Sequence, residues 1–411
     1  MVVTKGPHGP SGGLPPEGAR AADRQSRIRA RHLIRAAGKA LARVLGLGGG
    51  LFGGMAGTAQ AVDLPPDHAE AMLHVYDGGG VRAAGPALLI RKSLFNKVSL
   101  SATYYVDAVS NASIDVVSTA SKYSETRQQL DLGLDYAVRD SLIHVSASSG
   151  KEPDYIAQTF GVDVAQEVFG GMTTVNLGFT EGHDAVGRKG EEGFFDHAEH
   201  WQYRLGVTQI LTPRWLASAN IEALADEGYL GSPYRAARVF GAFVPEEVPR
   251  TRSGRAIKFR ALGDISDWFR GGSWGAGQRH SMHAEYRYYW DNWGIKAHTV
   301  EGGYSRYFGD KWLADSWLRF NRQSAALFYS DNAPAETLYH TRNRQLGTFN
   351  SWSLGGRATY DYAKVPGRYD IKLSGSLEYV RFDYQDFTDF RTGKPYAFNG
   401  ALLQLYLTAN F

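Results

Sequence analysis

The sequence predicts an all-β fold, a single transmembrane antiparallel β-barrel, and three observations carry that prediction. Segments of about ten residues alternate apolar and polar at period two along most of the chain. The connections between them alternate between short turns and long polar loops. No run of 18 consecutive apolar residues occurs, which leaves strands as the only spanning element, in a chain rich in aromatics (9 Trp, 23 Tyr, 20 Phe).

The first 61 residues differ from the rest. Arg24, Arg27, Arg29, Arg31, Arg35, Lys39 and Arg43 form an acid-free basic stretch, followed by "VLGLGGGLFGGMA" and Ala59-Gln60-Ala61. Basic n-region, apolar h-region and A-x-A site in that order predict a secretory signal peptide over residues 1–61, with an unusually long n-region, cleaved before Val62. A transit peptide or a nucleic-acid-binding arm is the competing reading. Cleavage would leave 36 basic and 40 acidic residues, changing the formal charge from +3 to −4. The basic balance of the whole chain therefore gives no reason to expect a nucleic-acid partner.

Residues 62–411 read as one barrel. Val98, Leu100, Ala102, Tyr104 and Val106 alternate with Ser99, Ser101, Thr103, Tyr105 and Asp107. The pattern repeats at Gln129 to Arg139, Trp352 to Tyr362 and Tyr369 to Tyr379, with Met72 to Asp77 and Gly85 to Leu94 as the first pair. The polar faces favour Ser, Thr, Gly and single charges over the Lys and Glu of a solvated sandwich face. Aromatics such as Tyr104, Tyr136, Trp201, Trp290 and Trp352 gather toward segment ends, as interface girdles do. Short turns fall at "LFNK", "VRDS", "FGGM", "LTPRW", "FGDKW" and "KVPGR". Long loops are expected at residues 108–125, 182–200, 226–254, 331–348 and 385–399, facing the cell exterior, with the short turns in the periplasm. The count is sixteen strands, with fourteen and eighteen as alternatives because Ser266 to Arg279 and Tyr229 to Gly254 do not read cleanly.

The final stretch "ALLQLYLTANF" is itself an alternating strand. Leu403, Leu405, Leu407 and Phe411 resemble the C-terminal signal by which outer-membrane barrels are handed to the barrel-assembly machinery, and the last strand must pair with the first because lipid tolerates no open edge.

The same alternation assigns Asp131, Asp135, Arg204, Glu222, Lys258, Arg260, Glu285, Arg287, Asp315, Arg319, Arg357, Asp361, Lys372 and Glu378 to the lumen. Charges on opposing walls can select ions; the plainer account is that they pair across the lumen, and the mixture of signs names no preferred ion. In "FFDHAEH", Asp196, His197 and His200 are potential metal ligands, against the alternative of a solvated acidic loop that also holds His183, Glu191, Glu192 and Glu199. Asp107, Asp115, Glu125, Glu152, Asp154 and Tyr155 form an acid and hydroxyl cluster suited to a hard cation, without the fixed spacing of a calcium loop. His283, Glu285 and Arg287 share one strand face. No catalytic set is assigned, no cofactor is expected, and the absence of cysteine excludes disulfides and thiolate metal sites.

Six stretches in order, "HVYDGGGV", "SATYYVDAVSNASIDVVSTASKYSETR", "EPDY", "FGGMTTVNLGF", "YRLGVTQILTPRW" and "DEGYLGSPYR", resemble the family catalogued as domain of unknown function 3570. The resemblance runs from about His74 to Phe411. It implies a β-barrel in the outer membrane of a Gram-negative bacterium, in contact with its lipid, and brings no activity or catalytic residue. The neighbourhood of that family's genes, beside thioredoxin-like proteins and flavin transferases, implies an association with a periplasmic redox or flavin-related system. The function expected is a channel or passive transporter. The alternative is a scaffold or sheath holding a periplasmic or surface partner, and a third reading is an outer-membrane hydrolase.

Overall fold

Apolar residues at every second position can be buried in two ways: against a second sheet, or against lipid on the outside of a closed one. The computed structural model, which describes residues 62–111, 123–191, 193–269 and 279–411, takes the second course. The predicted signal peptide, Asp115 and Glu192 lie outside the described residues.

The wall begins with β1 (His68–Gly78), β2 (Val81–Leu94), β3 (Val98–Asn111), β4 (Tyr123–Val138), β5 (Ser141–Lys151) and β6 (Tyr155–Val168). It continues through β7 (Thr173–Gly187), β8 (Phe195–Thr212) and β9 (Trp215–Gly228). A small hairpin, β10 (Ala236–Val239) and β11 (Ala242–Pro245), then leaves the wall and pairs only with itself. The circuit is completed by β12 (Thr251–Asp264), β13 (His280–Asp291), β14 (Lys296–Phe308), β15 (Trp312–Gln323), β16 (Phe349–Val365), β17 (Tyr369–Asp389) and β18 (Lys394–Asn410). Sixteen strands close one barrel in sequence order, every neighbour antiparallel, with β12 following β9 directly. The predicted count of sixteen is met.

Closure is made by β1 and β18 over eleven consecutive register pairs, from His68 opposite Asn410 to Gly78 opposite Gly400. Just beyond, the Phe411 N–H donates to the Asp67 carbonyl (3.1 Å) and its ring lies under the Lys92 ammonium. Leu403, Leu405 and Leu407 stand on the outer face. There they join Leu88, Phe259 and Leu354, each more than half exposed, which marks the outside as the apolar, lipid-facing side. Trp312, Tyr360 and Tyr362 on that face fall near one end of the strands, and Tyr288, Trp290 and Trp352 near the other.

Several boundaries differ from the sequence expectation. β1 and β2 start four residues earlier than read, because Gly and Ala blur their alternation. Residues 385–399 are no long loop: β17 and β18 run on to Asp389 and Lys394 around a four-residue turn, their inner faces held by aromatics. The loops after β7 and β9 are likewise shorter than read, since strand structure reaches Gly187 and Gly228 and resumes at Phe195 and Thr251. Ser266 to Arg279, at the short-turn end, opens with a single 3-10 turn, Ser266–Phe269.

One ladder is interrupted within the wall. Between β2 and β3 the pairs run to Ala84–Ala108 and resume at Ala87–Tyr105, skipping Gly85 and Pro86. Pro86 has no N–H to donate. At Gly85 a Cβ would sit 1.7 Å from the Val106 carbonyl oxygen, an approach only glycine permits. Each of the other irregularities in the described ladders lies within a few residues of a strand end.

Candidate functional site: the charged lumen and its capped mouth

Residues that alternate with the lipid-facing side chains form the inner wall, and their charges meet across strands. Asp163 and Arg204 join at 2.8 Å, Lys258 and Glu285 at 3.0 Å, and Glu222 and Arg287 at 3.3 Å. Glu301 receives both Arg319 (2.6 Å) and His283 (3.1 Å), and Arg319 also approaches Glu378 (3.8 Å). Asp361 and Asp370 flank the Lys372 ammonium at 3.7 and 3.4 Å. Asp131 accepts from the Gln129 amide. Arg357 turns to the Tyr406 ring, although Asp315 is its ladder partner. Arg260, opposite Glu285 in the ladder, makes no ion pair among the described residues.

The most enclosed of these groups is Asp135. Its carboxylate binds the Arg91 guanidinium from two strands away and the His144 Nδ1 at 2.7 Å, over the fully buried Ser99. Arg91, His144, Asp163 and Glu301 were missed in the sequence, yet they sit in "LLIRK", "LIHVS", "GVDVA" and "TVEGG", where the same period-two reading places them inside.

Nearer the long-loop end, polar contacts recur around much of the wall. His74 and Asp107 bond at 2.6 Å across the glycine gap of β2, and Tyr105 stacks on the imidazole and donates to the carboxylate. Arg127 lies 3.7 Å from Glu152, whose carboxyl is pushed up by burial. The Tyr155 hydroxyl donates to Asp184. His200 bridges Asp184 (3.0 Å) and Asp226 (2.8 Å), and Arg252 grips Asp291 at 2.7 Å beside the Tyr289 hydroxyl. This arrangement separates the three suggested metal ligands. His200 is held by two aspartates, Asp196 pairs with Arg250, and the His197 ring packs on Phe195. No group of three His, Asp or Glu able to hold a metal forms among the described residues. Of the acid and hydroxyl cluster, Asp107, Glu152, Asp154 and Tyr155 are each occupied by the partners just given or, for Asp154, by the Tyr234 hydroxyl.

Three connections fold together over one side of the mouth. The β10–β11 hairpin meets the β15–β16 connection through bridges at Val239–Ala333 and Glu247–His340. Their shared apolar centre is Trp293, Ile295 and Ala326, with Leu230, Val248 and Phe328 around it. Arg342 ties this cap to the β17–β18 tip, donating to the Thr388 carbonyl and lying over the Phe387 and Phe390 rings. Below it, Phe349, Tyr384, Phe387 and Tyr396 pack against one another on the inner wall of β16–β18. The loop after β9 also reaches the opposite rim, where Tyr234 donates to Asp154; burial first, and that carboxylate second, push the phenol up to about 12. This cap is invisible in the sequence because loop-to-loop contacts have no periodicity.

On inner and outer faces alike, large rings lie on glycines of neighbouring strands. A Cβ on Gly355 would be 2.1 Å from Trp317, and one on Gly263 would be 2.5 Å from Trp215. The aromatic thereby covers backbone that the glycine leaves bare.

The profile of the family described as "Protein of unknown function (DUF3570)" matches residues 188–379, from the loop after β7 into β17. The match bears out the resemblance read from the sequence over residues 188–379. No curated relative matches in sequence. Among solved structures, a bacterial polysaccharide outer membrane secretin aligns with 84% of this chain and 98% of its own, at 8% identity and TM-score 0.48. OpdK of Pseudomonas aeruginosa with vanillate aligns with 84% and 98% at 10% identity and TM-score 0.41. OmpT of Vibrio cholerae aligns with 83% and 98% at 8% and 0.41.

Proposed function

We propose that this barrel is a channel or passive transport protein of the outer membrane of a Gram-negative bacterium, with the cap at its outer mouth. The observation that carries the reading is the character of the inner wall. A sixteen-stranded cylinder is wide enough for an aqueous path, and away from the aromatic cluster of β16–β18 its described wall carries charges of both signs. Arg260, a lumen cation with neither an ion pair nor a ring contact among the described residues, is the residue proposed to bias permeation toward anions. Leu403, Leu405, Leu407 and Phe411 are proposed as the strand read by the barrel-assembly machinery.

The test is single-channel conductance of the purified protein in planar bilayers. Stable steps are expected, with a reversal potential on the anion-selective side in a salt gradient that moves toward cation selectivity in Arg260→Glu. A folded barrel that passes no current refutes the channel. It would direct attention to the second reading, a scaffold for a partner, which the independently packed apolar centre of the cap favours.

A further inference from the structure

Most lumen charges meet a partner of opposite sign, whereas part of the lipid face carries charge of one sign only. On β12–β15 the outward positions are those in phase with Phe259, Tyr286, Val300 and Leu318, all exposed on the apolar side. In that phase lie Arg255 on β12, Lys296 and Arg306 on β14 and Arg322 on β15, and not one Asp or Glu.

Three of these cations gather at the long-loop end. Trp290 is the ladder partner of both Arg255 and Lys296, so the two cations flank its ring in one row. In the next row Tyr288, His298 and Arg322 are successive ladder partners. Arg322 is therefore the diagonal neighbour of Lys296, roughly 7–8 Å away between backbones. Arg255, Lys296 and Arg322 are all exposed, and no carboxylate binds them among the described residues. The outward carboxylate in the row of Arg322, Asp383, is held by Arg381 at 2.7 Å.

Rings stand within these two rows and in the row below, with aliphatic groups beneath. Tyr288 stacks on Trp290 (5.2 Å), the Tyr286 hydroxyl meets His298 at 2.8 Å, and Phe320 lies against Trp352 (4.4 Å). Val300, Leu318 and Leu354 follow toward the middle of the wall, each at least half exposed. Unpaired cations set among aromatic rings, above an aliphatic surface, match the vertical order of an anionic lipid whose phosphate lies at the interface and whose acyl chains lie beneath it. Guanidinium groups suit phosphate oxygens because they donate two parallel hydrogen bonds.

We propose that Arg255, Lys296 and Arg322, framed by Trp290, Tyr288 and His298, form a site for the phosphate-bearing headgroup of an anionic lipid in the leaflet at the long-loop end. Its acyl chains lie along Val300, Leu318 and Leu354. The site needs a lipid-facing outer wall and does not depend on whether the lumen conducts.

The test uses the protein purified from membranes and reconstituted in nanodiscs of phosphatidylcholine with or without phosphatidylglycerol, with retained lipid read by native mass spectrometry. Wild-type protein is expected to retain phosphatidylglycerol preferentially. Each of Arg255→Gln, Lys296→Gln and Arg322→Gln should weaken that preference about fivefold, and the triple variant on the order of a hundredfold if the charges act independently. Arg391→Gln, which removes a cation from the solvent-exposed β17–β18 turn, should leave it unchanged. Mobility on unheated gels verifies that each variant is folded. Equal retention of both lipids by wild type, or wild-type retention by the triple variant, overturns the proposal. Displacement of the lipid by inorganic phosphate at matched concentration also overturns it, by showing an anion site without a lipid component.

Discussion

Replacing Asp135 by Asn tests whether the lumen charges hold the wall together. The Asp135 side chain is 5% exposed and Arg91 16%, so the pair is largely out of water although it faces the lumen. Asn keeps the shape but removes the negative charge and one of the two acceptor oxygens, so its amide oxygen can accept from Arg91 or from His144 but not from both. Breaking a buried pair from one side costs about 3–5 kcal/mol. The partial exposure of Arg91 places the expected loss near about 3 kcal/mol. Arg91→Met should cost less, because His144 still answers the carboxylate. The double variant should lose clearly less than the sum of the singles, with a coupling of about 1–3 kcal/mol. The assay is urea unfolding of protein refolded into lipid vesicles, followed by tryptophan fluorescence and by mobility on unheated gels. Losses that add within about 0.5 kcal/mol would refute the reasoning, since independent sites behave in that way.

Two further outcomes concern packing and acid. Gly355→Ala forces Trp317 off the backbone it covers and should destabilise the barrel by about 1–3 kcal/mol in the same assay. Asp67, outside the strands, has its carboxyl pulled down to about 2 by hydrogen bonds from Lys92 and Ser93. A depressed carboxyl contributes stability above its unfolded value near 4 and loses that contribution as pH falls toward 2. The protection factors of amides at the start of β1, corrected for intrinsic exchange, should therefore fall between pH 4 and pH 2, and Asp67→Asn should show the lowered protection already at neutral pH. Protection factors that do not change with pH in this window would remove Asp67 from the seam.

How legible this was in the sequence follows from the distance over which each feature is encoded. Alternation is a two-residue signal, so the sixteen strands and the inner placement of residues such as Asp131 and Glu378 could be read directly. Partner choice is not local. Asp135 meets Arg91 across β3, and no spacing in the chain gives that register. The cap resisted reading for the same reason: Arg342 finds its place through Thr388 and Phe387, in a connection whose composition says only that it is a loop. The tips of β17 and β18 were misread because Asp, Thr and Arg around Phe390 resemble loop residues, while Tyr384, Phe387 and Tyr396 on the inner side hold them extended. The metal suggestion at Asp196, His197 and His200 came from proximity in the chain, whereas on β8 His197 turns to the opposite face and Asp196 and His200, on one face, are taken by Arg250 and by Asp184 and Asp226.

The interruption at Gly85 and Pro86 determines where the cylinder is mechanically weakest. The seam that joins the two ends of the barrel has eleven unbroken pairs, so closure is as firm as any interior ladder. Between β2 and β3 two ladder positions are unbridged, and the His74–Asp107 bond stitches over the gap with side chains instead of backbone. A cylinder pulled open sideways would part along β2–β3, one strand in from the join. There a single imidazole acts as the rivet.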